Sequence, residues 1–370
     1  MEELLTRGVA EVIDKKHLEE KLVSGKKLRI KLGIDPTSPN IHIGRAIQLL
    51  KLRDFQNLGH TAVFIVGDFT GIIGDASDKD SERPMLTKEQ IESNMKDYLN
   101  QAFKILDPEK TETHYNSEWL SKLGFLELGR MASLFSVHEF ESREVMARRL
   151  KAGQRISSQE LFYPLMQGYD SVAVKADVEI GGTDQRYNLL AGRRIQPLYD
   201  QEPQDILMTE LIEGLDGRKM SSSWDNVINI TDEPNDMFGK VMSMEDKLVT
   251  KYFELCTRLL SEEITEITKG HPKEVKSRLA FEITKIYHGE SAAKDAQENF
   301  TKTFSKGGVP KDIKTVKTSK ETPLVETFLE HGLVSSKTEF NRLKKEGAIE
   351  EIENGVYRIG KHRFLRIEIL

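Results

Sequence analysis

Strand-like and helix-like periods of apolar residues alternate in the first part of the chain. Lys27–Ile34 alternates apolar with polar positions, which predicts a strand, and a run of loop-forming residues at 35–39 ends it. Ile43–Leu58 carries apolar residues at helical spacing, whereas Thr61–Val66 is a short apolar run typical of a buried strand. A strand, a helix and a second strand in this order indicate a parallel sheet covered by helices, so we expect an α/β fold.

Further elements continue this alternation. We expect a glycine-containing turn at Gly67–Gly71 and a helix over Lys88–Leu106 with Thr87 as its N-cap. Ser171–Ile180 alternates again and predicts a strand that runs into a pair of glycines. An all-α fold would require all three strand predictions to be wrong.

The second half of the chain is mainly helical and changes composition twice. Residues 235–304 have helical periodicity with Lys and Glu on the polar faces. Ser305–Thr322 is rich in Lys, Gly, Ser and Thr, which suits a linker or an exposed strand. Two helical patterns, Leu324–His331 and Ser336–Glu346, then precede short strand-like pieces. These changes indicate four segments: residues 1–228, 229–304, 305–322 and 323–370.

Composition excludes several classes of protein. The 370 residues exceed what one hydrophobic core usually supports, and the 38% hydrophobic and 31% charged residues are typical of a soluble globular protein. No apolar run approaches the length of a membrane helix, and the acidic N-terminus leads into no signal-peptide core. We therefore expect a cytoplasmic protein with no membrane partner. Cys256 is the only cysteine, which excludes an intrachain disulfide and a cysteine-built zinc site and suits a packed core thiol.

Two segments are candidates for phosphate binding. His42–Arg45 begins a predicted helix, where unpaired N–H groups and the helix dipole favour an anion, Gly44 permits close approach, and His42 can donate a hydrogen bond. Leu215–Ser223 combines a glycine-bearing turn with Lys219 and three serines, which suits a mobile phosphate-binding loop. Either segment alone is better explained as an ordinary helix cap or a solvated polar turn. Together and in this order, they resemble the paired signature of the class I aminoacyl-tRNA synthetases.

Four further segments resemble those of tyrosyl-tRNA synthetases, in that family's order and spacing: Lys31–Thr37 (KLGIDPT), Gly67–Gly71 (GDFTG) with Gly74 and Asp75, Tyr163–Asp170 (YPLMQGYD), and Gly181–Gln185 (GGTDQ). The resemblance covers essentially the whole chain and is best for a bacterial subset that shares the KLGIDPT version. It implies a doubly wound, Rossmann-like parallel-sheet catalytic domain. An α-helical anticodon-recognition domain and a small α+β RNA-binding domain of the S-four type would follow it.

The resemblance implies a tyrosine site. Asp75, Tyr163 and Gln167 would hold the ammonium group, and Asp170 would accept a hydrogen bond from the phenol. A buried acceptor left unpaired is costly, so phenylalanine would be rejected, an effect for which this family is a standard example. Taken singly, Asp75 and Asp170 better suit helix capping or a salt bridge. The complete predicted tyrosine set is Lys31, Gly33, Asp68, Thr70, Asp75, Tyr163, Gln167, Asp170 and Gln185.

The resemblance also implies an ATP site and a reaction. The tyrosine carboxylate would attack the α-phosphorus of ATP in line and pyrophosphate would leave, while positioned cations and donors stabilise the departing oxygens. Mg²⁺ would arrive with ATP, and no dedicated protein metal site is expected. The catalytic set would be Thr37, His42, Arg45, Lys79, Arg83 and Lys219. The ATP-binding set would be Asp35, Gly44, Gly182, Asp184, Gln185, Met220, Ser221, Ser222 and Ser223.

Three positions depart from the usual family pattern. Arg45 stands where the first signature usually ends in histidine. Ser222 stands where the bacterial mobile loop usually has a second lysine, although archaeal and eukaryotic relatives also use serine there. Lys31 stands where many relatives place a phenol-binding tyrosine. Arg45 and Ser222 motivate one alternative, a catalytically reduced relative that acts as an RNA-binding or regulatory protein. The other alternative is tryptophanyl-tRNA synthetase, which shares the fold and both signatures.

The basic C-terminal segment bears on the partners. The net charge of −6 does not favour nucleic-acid binding by the whole molecule, but a local basic face is sufficient. Glutamates among these cations also suit a solvated helix face. The resemblance implies contact with tRNA(Tyr) through four cations: Lys337, Arg342, Lys344 and Lys345. Relatives are homodimers, so a homodimer is expected. This tail, together with Tyr163, Gln167 and Asp170, favours tyrosine over tryptophan.

Overall fold

The chain divides into two compact units in a computed structural model, Met1–Ala293 and Lys294–Leu370. The structure describes residues 2–75, 85–302, 315–319, 322–334, 336–353, 355–359 and 363–369. This division is coarser than the four segments expected from the sequence. Among the described helices, none has both the length and the apolar composition needed to cross a bilayer.

The first unit contains a six-stranded sheet with the order β1-β6-β5-β2-β3-β4. All neighbouring strands are parallel except β1, which pairs antiparallel with β6. β5 and β6 are buried at every position because helices cover both faces of the sheet. The expected doubly wound architecture is therefore confirmed. The strands are Val9–Ile13 (β1), Arg29–Ile34 (β2), Thr61–Val66 (β3), Thr111–Tyr115 (β4), Val178–Gly182 (β5) and Asp205–Thr209 (β6).

Helices connect and cover these strands. The first ten are Glu2–Thr6 (α1), Lys15–Val23 (α2), Ile43–Asn57 (α3), Asp68–Ile73 (α4), Lys88–Met95 (α5), Tyr98–Ala102 (α6), Ser117–Leu120 (α7), Phe125–Ala132 (α8), Val137–Glu141 (α9) and Glu144–Lys151 (α10). The next six are Ser158–Ala173 (α11), Arg186–Ile195 (α12), Pro234–Ser243 (α13), Val249–Cys256 (α14), Ser261–Ile267 (α15) and Pro272–Phe300 (α16). α16 is kinked at Gly289, whose positive φ of 83° interrupts the helical backbone. Cys256 is a buried free thiol at the end of α14, as the sequence indicates.

The predicted strand Ser171–Ile180 is wrong in its first half. Residues up to Ala173 belong to α11, and β5 begins only at Val178. Lys175 adopts the left-handed backbone conformation, with φ 50°, and turns the chain from the helix into the strand. The apolar alternation therefore spans a buried helix end, a turn and the start of a strand, which periodicity alone does not separate.

The predicted helix Lys88–Leu106 is interrupted. α5 ends at Met95, and a second short helix starts at Tyr98, whose side chain is fully buried. The predicted N-cap, Thr87, is confirmed. Its side chain accepts from Gln90 N–H, while the Gln90 side chain accepts from Thr87 N–H, so two unpaired donors at the helix start are satisfied.

The second unit is a small α+β domain. Its sheet has the order β7-β10-β9-β8, with β7 and β10 parallel and the other neighbours antiparallel. The strands are Thr315–Thr318 (β7), Ile349–Glu353 (β8), Val356–Ile359 (β9) and Arg363–Ile369 (β10), and the helices are Leu324–Glu330 (α17) and Lys337–Lys345 (α18). Phe328 and Phe340 stack edge to face in its core. Both predicted helices are present, and β7 lies within the range predicted to be a linker or an exposed strand.

Candidate active site

A cleft of about 340 Å³ opens where β2 and β5 end. Its walls also include the first turn of α3, part of α11, residues 211–212 and residues 219–222. Ligands of open parallel sheets bind at this edge, outside the carboxyl ends of the strands. Most residues predicted for ATP and tyrosine line the cleft: Gly33, Asp35, Thr37, His42, Gly44, Arg45, Asp75, Tyr163, Gln167, Asp184, Gln185, Lys219, Met220, Ser221 and Ser222.

The remaining predicted residues are placed differently. Four are buried but do not line the cleft: Lys31, Thr70, Asp170 and Gly182. Asp68 is also outside the lining, and its carboxylate accepts from the N–H of Ser117 at 2.9 Å and from its Oγ at 2.5 Å. This carboxylate therefore joins α4 to α7. Outside the described residues lie Lys79, Arg83 and the side chain of Ser223.

His42 is held as a neutral ring at the start of α3. Its Nδ1 accepts the backbone N–H of Arg45 at 3.3 Å, which places the ring proton on Nε2. Burial lowers the pKa of His42 to about 3, and the nearby charges of Arg45 and Lys219 act in the same direction. The ring therefore carries no charge at neutral pH. Its Nε2–H can donate a hydrogen bond to a phosphate oxygen.

Arg45 supplies a permanent cation beside this ring. Its guanidinium donates to Tyr98 Oη at 2.8 Å, to Thr37 Oγ1 at 3.1 Å and to the carbonyl oxygen of Asp35 at 3.3 Å. Because the three acceptors lie on α6 and on the loop after β2, the planar guanidinium joins that loop to α3 and α6. A smaller imidazole at this position could not reach three such acceptors at once.

The loop carrying Lys219 is closed onto the cleft. Lys219 Nζ lies 2.7 Å from Asp184 Oδ2, so a predicted catalytic cation is paired with a predicted ATP-binding carboxylate. Asn226 holds the loop: its Oδ1 accepts from Ser221 N–H at 2.9 Å, and its Nδ2 donates to Asp216 Oδ1 at 2.7 Å. No sequence signal singles out Asn226, because a lone asparagine after a polar turn is ordinary.

A chain of side-chain hydrogen bonds links two carboxylates of the site. Asp35 accepts from Thr70 Oγ1 at 2.7 Å and from Tyr163 Oη at 2.9 Å. Asn116 Nδ2 donates both to Thr70 Oγ1 at 2.8 Å and to Asp170 Oδ2 at 3.2 Å. The orientation of the Asn116 amide is defined because its Oδ1 accepts a backbone N–H. Asp35 of the predicted ATP site and Asp170 of the predicted tyrosine site are therefore linked through Thr70 and Asn116.

Asp170 is a buried carboxyl group whose pKa differs strongly from its ordinary value. Trp119 Nε1 donates to its Oδ1 at 2.7 Å, and Asn116 occupies the other oxygen. Burial raises the pKa of Asp170 to about 7, although the Lys31 cation and these two donors oppose the rise. Burial also raises the pKa of Tyr163 well above its ordinary value, so Tyr163 remains a hydroxyl donor.

The three residues predicted to hold an ammonium group surround one part of the cleft. Asp75 Oδ2 accepts from Gln185 Nε2 at 2.6 Å, and Gln167 Nε2 donates to Glu179 Oε1 at 3.1 Å. Tyr163 is the third residue; its hydroxyl donates to Asp35, so its oxygen is the part that can accept from an ammonium group. A carboxylate, an amide and a hydroxyl in one pocket are the acceptors that an ammonium group requires.

Gly67 is required by packing rather than by backbone conformation. The turn predicted at Gly67–Gly71 is in fact the start of α4, with Gly67 as its N-cap at φ −78°. An added Cβ would lie 2.0 Å from Asp35 Oδ1 and 2.4 Å from Thr70 Oγ1. The side chains of this hydrogen-bonded pair would have to separate.

Gly67→Ala should therefore destabilise the protein and disturb the cleft. We expect the free energy of unfolding to fall by about 2–3 kcal/mol in urea titrations, as for an overpacked core. Gly239→Ala is the matched control, because its added Cβ meets nothing within 4 Å and the residue lies inside α13. That change should alter stability by less than about 1 kcal/mol. Equal stabilities of the two variants would contradict the packing argument.

The chain is similar to known proteins over most of its length. Residues 24–305 match the model of the class I tRNA synthetases (W and Y). A tyrosine–tRNA ligase of Nitratidesulfovibrio vulgaris is 46% identical over 99% of this chain and 98% of its own. A tyrosine–tRNA ligase of Thermotoga maritima is 45% identical over 98% of this chain and 96% of its own.

Solved structures agree at the level of the fold. A truncated mitochondrial tyrosyl-tRNA synthetase of Aspergillus nidulans superposes with a TM-score of 0.70 at 21% identity, covering 82% of this chain and 93% of that one. The tyrosyl-tRNA synthetase of Archaeoglobus fulgidus, solved with L-tyrosine, gives 0.63 at 23% identity over 80% and 98%. From the family model and the near full-length sequence identity, the chain belongs to the tyrosine–tRNA ligase family of the class I tRNA synthetases.

Proposed function

We propose that this chain activates L-tyrosine with ATP to tyrosyl-adenylate and pyrophosphate, and then transfers tyrosine to the 3′ end of tRNA(Tyr). The observation that carries the proposal is one cleft with two chemically different regions. Donors and cations from His42, Arg45 and Lys219 suit phosphates, and acceptors from Asp75 and Tyr163 suit an ammonium group. Relatives named tyrosine–tRNA ligase, at 45–46% identity over nearly the whole chain, favour tyrosine over tryptophan.

The proposed activation step needs charge stabilisation and no strong base. The tyrosine carboxylate is already ionised at neutral pH, so its attack on the α-phosphorus requires alignment only. Negative charge then accumulates on the departing pyrophosphate, where Arg45 and Lys219 provide cations and His42 provides a neutral donor. Lys219 would exchange Asp184 for phosphate oxygens, and Asp184 would become available to the ribose hydroxyls.

ATP would enter as its magnesium complex. The cleft presents cations and neutral donors at its phosphate region, which suits phosphates whose charge is partly neutralised by Mg²⁺. Mg²⁺ would help to neutralise the pyrophosphate charge when bound. The cytoplasm, where tRNA and ATP are available, is the proposed location.

Amino-acid-dependent exchange of labelled pyrophosphate into ATP tests the proposal without tRNA. Tyrosine, tryptophan and phenylalanine are supplied separately to the folded protein with Mg²⁺. We expect exchange with tyrosine only. Exchange with tryptophan would transfer the assignment to tryptophanyl-tRNA synthetase, and no exchange with any amino acid would favour the catalytically reduced, RNA-binding alternative.

We further propose that residues 229–304, which follow the catalytic segment 1–228, recognise the anticodon. Residues 323–370, joined to that helical segment by the linker 305–322, would bind tRNA. Exposed cations on one helix support the second part. Lys344 and Lys345 lie in the last turn of α18, and Lys337 and Arg342 lie on the same helix. Cations at this density bind phosphates by charge and counterion release.

A double Lys344→Ala/Lys345→Ala variant should raise the KM for tRNA about tenfold while leaving pyrophosphate exchange unchanged. Pyrophosphate exchange should not change because the two lysines are exposed residues of the second compact unit, whereas the residues that line the cleft belong to the first. Lys15→Ala/Lys16→Ala removes two exposed lysines from α2 and serves as the control. A similar rise in both double variants would show a nonspecific charge effect instead.

The proposed quaternary state is a homodimer. Large apolar side chains are exposed close together in sequence at α8 and α9: Phe125 is 91% exposed, Leu126 81% and Val137 60%. Exposed apolar surface of this kind in a soluble protein typically marks an interface.

Phe125→Asp/Leu126→Asp should convert the dimer to a monomer in sedimentation velocity without loss of folded structure, because both side chains are exposed in the single chain. Val23→Asp, at the end of α2 and 68% exposed, should leave the sedimentation coefficient unchanged. A parent protein that sediments as a monomer, or a double variant that remains dimeric, would contradict this interface.

A further inference from the structure

The Lys31 ammonium group is completely buried and fully engaged. Its side chain is 0% exposed, and its Nζ lies 2.8 Å from three acceptors: the carbonyl oxygen of Gln167, Ser171 Oγ and Glu179 Oε1. An ammonium group has three N–H donors, so each already has an acceptor. Lys31 also does not line the cleft.

The partner of Lys31 follows from the register of the sheet. Lys31 on β2 and Glu179 on β5 are direct neighbours in a parallel pair, so their side chains project to the same face. Glu179 is 1% exposed and accepts from Gln167 Nε2, Ser171 Oγ and Gln204 Nε2 besides Lys31. A buried ion pair is tolerated only with such additional hydrogen bonds. Gln167 and Ser171 on α11 supply several of them, so the ion pair and this part of α11 stabilise each other.

The two contacts of this pair on α11 flank Asp170. Gln167 lies one turn before Ser171, and Asp170 lies between them. The groups facing Asp170 from other elements are the Lys31 cation on β2, the Glu179 anion on β5, Asn116 and Trp119; Tyr163 faces it from α11 itself. Lys31 opposes the rise of the Asp170 pKa and Glu179 promotes it, with Lys31 the larger influence.

We propose that Lys31 is a positioning residue for tyrosine binding, acting through Gln167 and Asp170 on α11 and not by contact with the substrate. The Lys31–Glu179 pair holds the helical turn that presents Gln167 to the cleft. The same cation favours the ionised form of Asp170, which is the form that accepts a hydrogen bond from a phenol. The inference rests on the proposed tyrosine–ATP activation and assigns Lys31 a place behind the pocket wall.

The test compares Lys31→Met/Glu179→Gln with the parent protein. The double change avoids leaving Glu179 as a buried unpaired anion, and Lys31→Met alone is measured beside it. Steady-state pyrophosphate exchange gives KM for tyrosine and for ATP, and L-phenylalanine is tested as a competitive inhibitor. Thermal unfolding confirms that each variant is folded.

We expect the KM for tyrosine to rise about tenfold or more while the KM for ATP changes less than about twofold. At about pH 9, well above the raised pKa of Asp170 in the parent protein, the inhibition constant of phenylalanine should rise by the same factor as the KM for tyrosine. The acid limb of kcat/KM for tyrosine should move to higher pH, because the cation that opposes protonation of Asp170 is gone.

Two outcomes would overturn the inference. A loss confined to tyrosine at about pH 9, with phenylalanine inhibition unchanged, would mean that Lys31 contacts the phenol directly. A uniform fall in kcat with an unmoved pH limb and unchanged KM would mean a merely structural role. Failure of the proposed function is distinct from both, since the parent protein itself would then show no tyrosine-dependent exchange.

Discussion

Asp170→Asn should reduce tyrosine-dependent pyrophosphate exchange by about 10²- to 10³-fold, mainly through kcat/KM for tyrosine. The parent carboxylate already accepts from Trp119 Nε1 and Asn116 Nδ2 and retains lone pairs for a phenol. An asparagine would place an N–H₂ group against one of these donors and lose the negative charge. The KM for ATP should change little, because Asp170 is proposed to bind the phenol and its two donors, Asn116 and Trp119, belong to no predicted ATP-binding set.

The same substitution should make the protein more stable at alkaline pH. The pKa of Asp170 is raised to about 7 from 3.8, so the folded protein holds a proton there that the unfolded chain releases. Its contribution is fully present below about pH 4 and is lost as pH rises through 7. The difference between the folded and unfolded pKa values corresponds to roughly 4 kcal/mol of unfolding free energy. Asp170→Asn has no charge to bury and should not lose this stability at high pH.

Urea unfolding at about pH 4 and about pH 8 measures this effect. The stability advantage of Asp170→Asn over the parent should be larger at the higher pH. Asp236→Asn is the control, because Asp236 is an exposed carboxylate at the start of α13. Parental exchange activity in Asp170→Asn would show that Asp170 is not the phenol acceptor. A stability advantage that does not grow with pH would show that its carboxylate is not a buried charge.

Much of the cleft could be predicted because the resemblance names its residues, and several of them also follow strand ends or helix starts, where sequence periodicity breaks. Asp35 comes after β2 and His42 begins α3, so each position is marked by a change of pattern. Asn116 and Trp119 carry no such mark. They follow β4, an edge strand of sequence TETHY in which every residue is half-buried, so no apolar alternation announces the strand.

Contacts between distant segments are beyond what periodicity can indicate. The Lys31–Glu179 pair depends on β2 lying beside β5 in one register, and a shift by one residue would turn Lys31 to the opposite face. The resemblance to tyrosyl-tRNA synthetases therefore includes Lys31 in the predicted tyrosine-binding set but does not indicate where its side chain lies. Likewise, Arg45 departs from the usual signature, but only its three acceptors explain how arginine is accommodated there.

Lys219→Met should lower kcat for pyrophosphate exchange by about 10²- to 10³-fold and leave the KM for tyrosine within about twofold of the parent value. In the structure, Lys219 is paired with Asp184 at 2.7 Å and lines the cleft next to His42. Its cation is proposed to meet charge that develops only as pyrophosphate departs, so its removal should affect the transition state more than substrate binding. Methionine preserves most of the length of the side chain without its charge.

Lys247→Met is the matched control for this effect. Lys247 is an exposed lysine that does not line the cleft. It lies near the loop that carries Lys219, because its Nζ would be 3.9 Å from a Cβ added to Gly217. Its loss removes the same net charge but should leave exchange unchanged. An equal loss in both variants would indicate a general electrostatic effect on a polyanionic substrate. A rise in the KM for ATP alone after Lys219→Met would mean that this lysine acts in binding ATP and not in the transition state. Among the described residues that line the cleft, Arg45 would then be the remaining cation that could stabilise the departing charge.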